Sequence, residues 1–505
     1  MPSPGNFAAS ADPPPDLMAT GVPGVDEVLG GGLVAQGLYL VEGKAGAGKT
    51  IFAMQTAFHR ARRGDRVVYV SLIAESHGKM LRHLQGLDFF DERRIGDEIT
   101  LISGYRALVE EGLDGLVAFV AQLLRDCRAD LLVLDGFRSV RHVDSARLSL
   151  PKFLYELNAL ITAESCTGML LSPPAGVEPQ PEHTLVDGLI ELTRYSSGLR
   201  GVREFEVHKM RGAEHMQGRH VLRISTAGMH VFPRLEAVMH ATFQPFELYS
   251  GKLGFGEETL DDMLNGGFVE GSTTTVLGAP GSGKTLLGLK FLEGGLARGE
   301  SALYFGFYES PARLIRKAAS VGIELQAAVD DGRLEVLWQP PLEFYMDELA
   351  ERLLDALERR PEVSRLLVDG VEGFTNDRIH PERSADFLAA LSTRLRMRRL
   401  TTVLTEEMQL FGETIGLNTF RFSATVENII LLRYVEIRSR VHRLISVMKL
   451  RDSDYDHSIR EFEVHGRGIT VASTFDYGEA VLTGRPRVGP GIGGGAVPPT
   501  ETGGE

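Results

Sequence analysis

One glycine-rich octet occurs twice. Gly43-Lys44-Ala45-Gly46-Ala47-Gly48-Lys49-Thr50 follows the apolar run Leu38-Tyr39-Leu40-Val41 and precedes a helical pattern, Ile51 to Ala61. Gly278-Ala279-Pro280-Gly281-Ser282-Gly283-Lys284-Thr285 follows a second apolar run, Thr274 to Leu277. Strand, glycine loop and helix, in that order, is the setting in which G-x-x-x-x-G-K-[ST] forms a phosphate-binding P-loop. Gly43, Gly46 and Gly48, like Gly278, Gly281 and Gly283, let backbone N–H groups turn inward where a Cβ would obstruct a phosphate. The helix that starts at the loop adds its positive end. Lys49 and Lys284 are placed to meet the β- and γ-phosphates of ATP. Thr50 and Thr285 are placed to hold Mg²⁺.

The repeat extends beyond the octets. Lys49 and Lys284 lie 235 residues apart, and at that offset Val25–Leu33 overlays Leu260–Phe268 without a gap. So long a period means a duplicated domain rather than a solenoid. We place a flexible leader at 1–16, one domain at 17–240, a second at 245–485, and a Gly/Pro-rich disordered tail at 486–505. The join, Ala241 to Gly256, has the composition of a loop.

Within each half, apolar runs alternate with helical periodicity. Arg66–Ser71, Leu131–Asp135 and Gly168–Ser172 read as strands; Lys79–Leu87, Asp114–Cys127 and Pro151–Ala163 read as helices. Ser301–Phe305, Arg365–Asp369 and Thr401–Thr405 repeat the strands. This is an α/β fold, two tandem domains each built on a mostly parallel sheet flanked by helices, with ligands expected at the carboxyl ends of the strands. Leu189–Arg194 with Val202–Met210, and Asn428–Val435 with Arg443–Leu450, read as hairpins.

Composition narrows the function. The chain has 505 residues and a net charge of −14, which argues against coating nucleic acid as its main task. Two cysteines, Cys127 and Cys166, supply neither a disulfide framework nor a metal spacing, and fit a cytoplasmic protein. No apolar run is long enough to span a membrane.

Three sets of residues carry candidate chemistry. Asp135 and Asp369 end the strands opposite the P-loops, either as Mg²⁺-holding acids or as helix N-caps. Glu75 and Glu309 follow the next strand, either to orient an attacking water or to cap the helices opened by Ser76 and Ser310. Lys209 with Arg211, and Lys449 with Arg451, put two cations on one strand face. They serve either a neighbouring subunit's γ-phosphate or the chain's own carboxylates.

Taken together, these residues resemble the KaiC family, within the RecA/RadA group of P-loop ATPases. The resemblance runs from about Thr20 to Gly484. It rests on Thr20–Asp26, Gly30–Leu33, both P-loops, both strand-end acids, His208-Lys209-Met210-Arg211-Gly212, Asn428–Arg438 and Ser458–Phe462. It implies a RecA-like fold and a two-domain ATPase in a hexameric ring, with nucleotide between subunits and both Lys/Arg pairs acting across the seam. It also implies Ser/Thr autokinase activity in the second domain and KaiA- or KaiB-like signalling partners. The chain departs from the family at three places. Ala74 and Tyr308 replace the first of two paired glutamates. At the phosphosite, Ser423 fits the serine but Ala424 replaces the threonine, which rules against a two-site cycle. Asp452 stands where the first domain has Gly212, so the two loops are expected to differ. The competing readings are a RadA-like DNA-dependent ATPase and a nucleotide-sensing scaffold with little turnover.

Overall fold

A computed structural model describes residues 16–73, 77–142, 149–174, 180–242, 251–340, 342–375, 379–408, 426–437, 439–466 and 468–472. The leader up to residue 15, Ala74, Glu75, Ser423, Ala424 and the tail lie outside them. The chain divides into two compact units, Met1–Ala241 and Thr242–Glu505.

In the first unit the strands are β1 (Leu17–Met18), β2 (Leu33–Val34), β3 (Leu38–Gly43), β4 (Val67–Ser71), β5 (Ile99–Ser103) and β6 (Leu131–Asp135). They continue with β7 (Thr167–Ser172), β8 (Gly188–Ser197), β9 (Arg200–Met210), β10 (Arg219–Ser225) and β11 (Gly228–Phe232). The helices are α1 (Val25–Val28), α2 (Lys49–Arg62), α3 (His77–Leu84), α4 (Tyr105–Cys127), α5 (Leu150–Ala163), α6 (Pro181–Leu185) and α7 (Leu235–Thr242). Nine strands form one sheet in the order β11-β10-β9-β8-β3-β7-β6-β4-β5. From β8 to β5 all neighbours are parallel; β9, β10 and β11 extend the sheet antiparallel.

β3 lies inside this sheet and is buried along its whole length, as a near-continuous apolar strand covered on both faces must be. Its residues alternate between two cores. Tyr39 and Val41 pack with Phe52, Met54 and Phe58 of α2. Leu38 and Leu40 pack with Leu116 and Val120 of α4 and Leu157 of α5. The P-loop therefore leaves a strand clamped from both sides, which fixes where its amides point.

The second unit opens with β12 (Lys252–Leu253), α8 (Glu258–Met263), β13 (Phe268–Val269), β14 (Thr273–Gly278), α9 (Lys284–Leu296), β15 (Ser301–Gly306), α10 (Pro311–Ser320), α11 (Gln326–Asp330) and β16 (Leu334–Trp338). It continues with α12 (Met346–Arg359), β17 (Val363–Asp369), α13 (Glu372–Thr375), α14 (Ser384–Met397), β18 (Thr401–Glu407), β19 (Asn428–Ile437), β20 (Arg440–Leu450), β21 (Arg460–His465) and β22 (Gly468–Val471). Its sheet order, β16-β15-β17-β18-β14-β19-β20-β21-β22, repeats the first. Both units thus have the RecA-like arrangement.

Three local readings need correction. The stretch 241–256 is not all loop: α7 runs to Thr242, and β12 pairs Lys252 with Val269 and Leu253 with Phe268. α4 begins at Tyr105, well before Asp114, because Gly112 (φ 71°, ψ −158°) kinks it and breaks the periodicity. Gly212 and Asp452 share the left-handed conformation, at φ 83° and 62°. Aspartate is among the few side-chain residues that tolerate that region, so the substitution leaves this turn's backbone alike in the two units.

Candidate functional site

Both P-loops close on their own lysine. Lys49 Nζ donates to the carbonyls of Gly43 (2.5 Å) and Lys44 (3.2 Å). Lys284 Nζ donates to those of Gly278 (2.8 Å) and Ala279 (3.0 Å). Burial holds both ammonium groups below the ordinary lysine range, with Asp135, and in the second unit Glu407, Glu372 and Asp369, working against it. Such a cation gains from an anion placed beside it. Gly48 and Gly283 start the helices at φ 118° and 106°, values an L side chain rarely adopts. A Cβ on Gly48 would stand 2.7 Å from Met229 Cε, and one on Gly283 2.6 Å from Phe462 Cε1. The octet is therefore a backbone-lined cradle of the kind that takes phosphate.

At the floor of each cradle the strand-end acid meets the octet's threonine. Thr50 Oγ1 lies 3.5 Å from Asp135 Oδ2. Thr285 Oγ1 lies 3.0 Å from both oxygens of Asp369. A hydroxyl and a carboxylate converging beside a phosphate cradle form the hard-oxygen donor set that suits Mg²⁺. Two further hydroxyls hold the acids. Tyr69 donates to Asp135 (2.5 Å) and Tyr304 to Asp369 (2.9 Å). In the second unit Thr405 adds a bond of 2.8 Å to Asp369 and accepts one from the Gly370 amide. These tyrosines escaped the sequence reading, yet the signal was present: Tyr69 and Tyr304 stand at the same 235-residue offset as the two lysines.

Two arginines on the first hairpin were missed as well. Arg194 and Arg203 face each other across β8 and β9. Arg203 Nε donates to the Gly46 carbonyl (3.1 Å), and Arg194 Nη1 lies 2.8 Å from where a Cβ on Gly46 would sit. Tyr434 and Arg443 form the matching pair across β19 and β20, with the Tyr434 hydroxyl beside Gly281. Only the folded hairpin brings these side chains to a loop some 150 residues away in sequence.

Glu309 does not cap α10; its Oε1 accepts from Lys317 Nζ at 2.6 Å. Its Oε2 is buried with no hydrogen-bond partner among the described residues.

The two basic pairs lie at the far end of the sheet from their own P-loops. Lys209 pairs with Leu189, beside Gly188, and Gly188 is level with Tyr39 at the start of β3. Gly43 is four residues further on, about 13 Å at about 3.3 Å per residue. Lys209 Nζ reaches three main-chain carbonyls at the end of α6, those of His183, Thr184 and Val186, at 2.6–3.1 Å. Arg211 Nη2 shares the Thr184 carbonyl (3.2 Å), and its Nη1 lies 3.5 Å from Asp187. Lys449 repeats the arrangement on the Val426 carbonyl (2.6 Å), and Arg451 is exposed.

Comparison with known proteins agrees with this geometry. The family description "ATPase: KaiC" matches residues 18–236 and again 255–475. The chain belongs to the KaiC ATPase family. A "Circadian clock oscillator protein KaiC" from a Picosynechococcus species is 28% identical over 487 residues, covering 92% of this chain and 91% of that protein. The KaiC of Rippkaea orientalis is 28% identical over 489 residues, with the same coverage. A "Circadian clock protein KaiC3" from Synechocystis is 28% identical over 497 residues, covering 93% and 94%. This KaiC-family chain carries its two ATPase domains in tandem. No helix among its described residues is long and apolar enough to cross a membrane.

Proposed function

We propose that this protein binds ATP with Mg²⁺ in both P-loops and hydrolyses it at seams between subunits of a homo-oligomer, a hexameric ring by family resemblance. One observation carries the seam: each basic pair sits at the opposite end of the sheet from the P-loop of its own domain, so its phosphate partner belongs to another subunit.

The residues divide the work. Lys49 and Lys284 exchange loop carbonyls for phosphate oxygens. Thr50 with Asp135, and Thr285 with Asp369, hold Mg²⁺, the aspartates oriented by Tyr69 and Tyr304. Bound Mg²⁺ supplies charge neutralisation at the phosphates. Glu309, once released by Lys317, accepts a proton from the attacking water; Glu75 takes that part in the first domain. Lys209 with Arg211, and Lys449 with Arg451, offset charge that builds on the transferred group. Conformational change driven by turnover is the signal passed to KaiA- or KaiB-like partners. The acidic net charge keeps nucleic acid off the list of partners, and the protein works in the cytoplasm.

Mixing variants tests the seam. Lys49→Ala/Lys284→Ala protein lacks both cradles, and Arg211→Ala/Arg451→Ala protein lacks a cation of each pair. Each alone is expected to be nearly inactive, and mixed oligomers to recover phosphate release. Failure to recover in oligomers shown by mass to be mixed would place the arginines elsewhere.

A second reading, a nucleotide-sensing ring with little turnover, is favoured by the Lys317–Glu309 ion pair, which occupies the candidate base. Tight ATP binding with phosphate release unchanged by Glu309→Gln and Glu75→Gln would select it. Autokinase chemistry reduces to one acceptor, Ser423. One added phosphate by intact mass after incubation with Mg-ATP, absent in Ser423→Ala, supports it; none rejects it.

A further inference from the structure

We propose that the first domain carries a divalent-cation site apart from its P-loop, formed by Glu191, Glu206 and His208 and suited to Zn²⁺, Co²⁺ or Ni²⁺. The strand register brings the three together. Glu191 on β8 lies directly opposite Glu206 on β9, and His208 is the residue left over at the register shift between Val207 and Lys209, its ring reaching Glu191. One ligand atom from each falls within 4.8 Å of the other two. His208 Nε2 is 2.8 Å from Glu191 Oε2 and 3.9 Å from Glu206 Oε2. Metal bonds of about 2.0–2.2 Å need donor separations of about 3–3.6 Å, so the third side chain has only to close in slightly. One imidazole nitrogen with two carboxylates is a donor set for borderline metals. Glu191 and His208 are partly open, which leaves room for water at the remaining positions.

Two further observations point to a cation here. Like charges directly opposite on paired strands repel, and this row holds three: Glu42 on β3 is level with Glu191, which is level with Glu206. Glu204, 1% exposed, adds a fourth carboxylate on the same face of β9. The sheet does not need them. At the same positions the second domain has Leu277, Leu431 and Ser446, level with one another in its own register, with Met448 in place of His208. In the first domain His183 pairs with Glu42 at 3.2 Å, and His208 and Arg219 balance the rest of the row, Arg219 Nε donating to Glu206 Oε2 at 3.1 Å and its Nη1 lying 3.8 Å from Glu204. An incoming metal replaces the His208–Glu191 hydrogen bond and competes with Arg219 for Glu206. It would tie β8 to β9 next to Lys209.

The test uses the full chain, freed of metal and nucleotide, titrated with Co²⁺ by visible absorption and with Zn²⁺ by calorimetry. Neither readout depends on ATP turnover, so this inference and the ATPase reading fail separately. Wild type is expected to bind one equivalent that His208→Ala and Glu191→Gln weaken at least tenfold. His208→Met installs the second domain's residue and guards against misfolding; the same loss is expected. Arg219→Ala is expected to tighten binding several-fold by freeing Glu206. No binding by wild type, or equal binding by wild type and His208→Met, would overturn the site. Unchanged or weaker affinity in Arg219→Ala would remove Glu206 from it, and the three-residue site with it.

Discussion

Tyr69 and Tyr304 show how much of the candidate site rests on single hydroxyls. Each donates to the same oxygen of its strand-end aspartate that the octet's threonine meets. Burial and the neighbouring Asp369 carboxylate push the Tyr304 hydroxyl well above the usual tyrosine range, so it stays a donor at any working pH. Tyr69→Phe and Tyr304→Phe are expected to raise the Mg²⁺ concentration for half-maximal phosphate release about tenfold, since metal supports of this kind are worth about that. A magnesium titration of each variant checks it. Glu406 gives a pH test. Burial, with Glu372 as a like-charged neighbour, pushes its carboxyl up to about 7 from an ordinary 4.5. The folded state then holds that proton more tightly than the unfolded chain. Its contribution is full below about pH 4.5, is lost as pH rises to about 7, and stays flat above, on the order of 3 kcal/mol in all. Urea unfolding of wild type between pH 5 and pH 8 should show this loss in the second domain's transition, and Glu406→Gln should flatten it.

Strand, loop and helix of each P-loop could be read directly, because apolar run, glycine spacing and helical period are local signals. β3 and α2 form where Leu38–Val41 and Ile51–Ala61 announced them. β10 and β11 were not read although they form a local hairpin, Ser225 pairing with Gly228, because the turn Thr226-Ala227 carries no Asn-Gly or Asp-Gly signal. The start of α4 was lost to the Gly112 kink. In the site, the lysines, threonines and aspartates could be named from motif and repeat. Tyr69 and Tyr304 were legible only as a matched pair in the repeat, with nothing to assign their role, and Arg194 and Arg203 could not be named because their role comes from sheet register rather than spacing. Arg365 shows the same limit in the core. It is fully buried at the head of β17 in a sequence stretch that reads as a plain strand. Its guanidinium pairs with Glu300 at 2.6 Å, donates to the Gly254 and Phe291 carbonyls, and lies 4.5 Å over the Phe291 ring. It thereby fastens β17, α9 and the loop after β12 together. Arg365→Ala leaves Glu300 and two carbonyls without that partner. It is expected to destabilise the second domain by about 3–5 kcal/mol, the usual penalty for breaking a buried pair. Denaturant unfolding should show the second domain's transition moved and the first unchanged.

At the scale of the molecule, duplication has kept the cradle and let the surroundings diverge. Both domains hold glycine loop, lysine, threonine, aspartate and tyrosine in one arrangement, while the charged row of the first is uncharged in the second. ATP is expected to drive assembly, because the proposed seam sets the basic pair of a neighbour beside each cradle. Light scattering should show the mass rising from subunit to ring on addition of Mg-ATP, and Lys49→Ala/Lys284→Ala protein should fail to assemble. Phosphate release by wild type, Lys49→Ala, Lys284→Ala and the double variant, measured side by side at equal subunit concentration, is the most direct test of two working P-loops. Each single variant is expected to retain part of the rate and the double variant almost none; a double variant as fast as wild type would contradict the account.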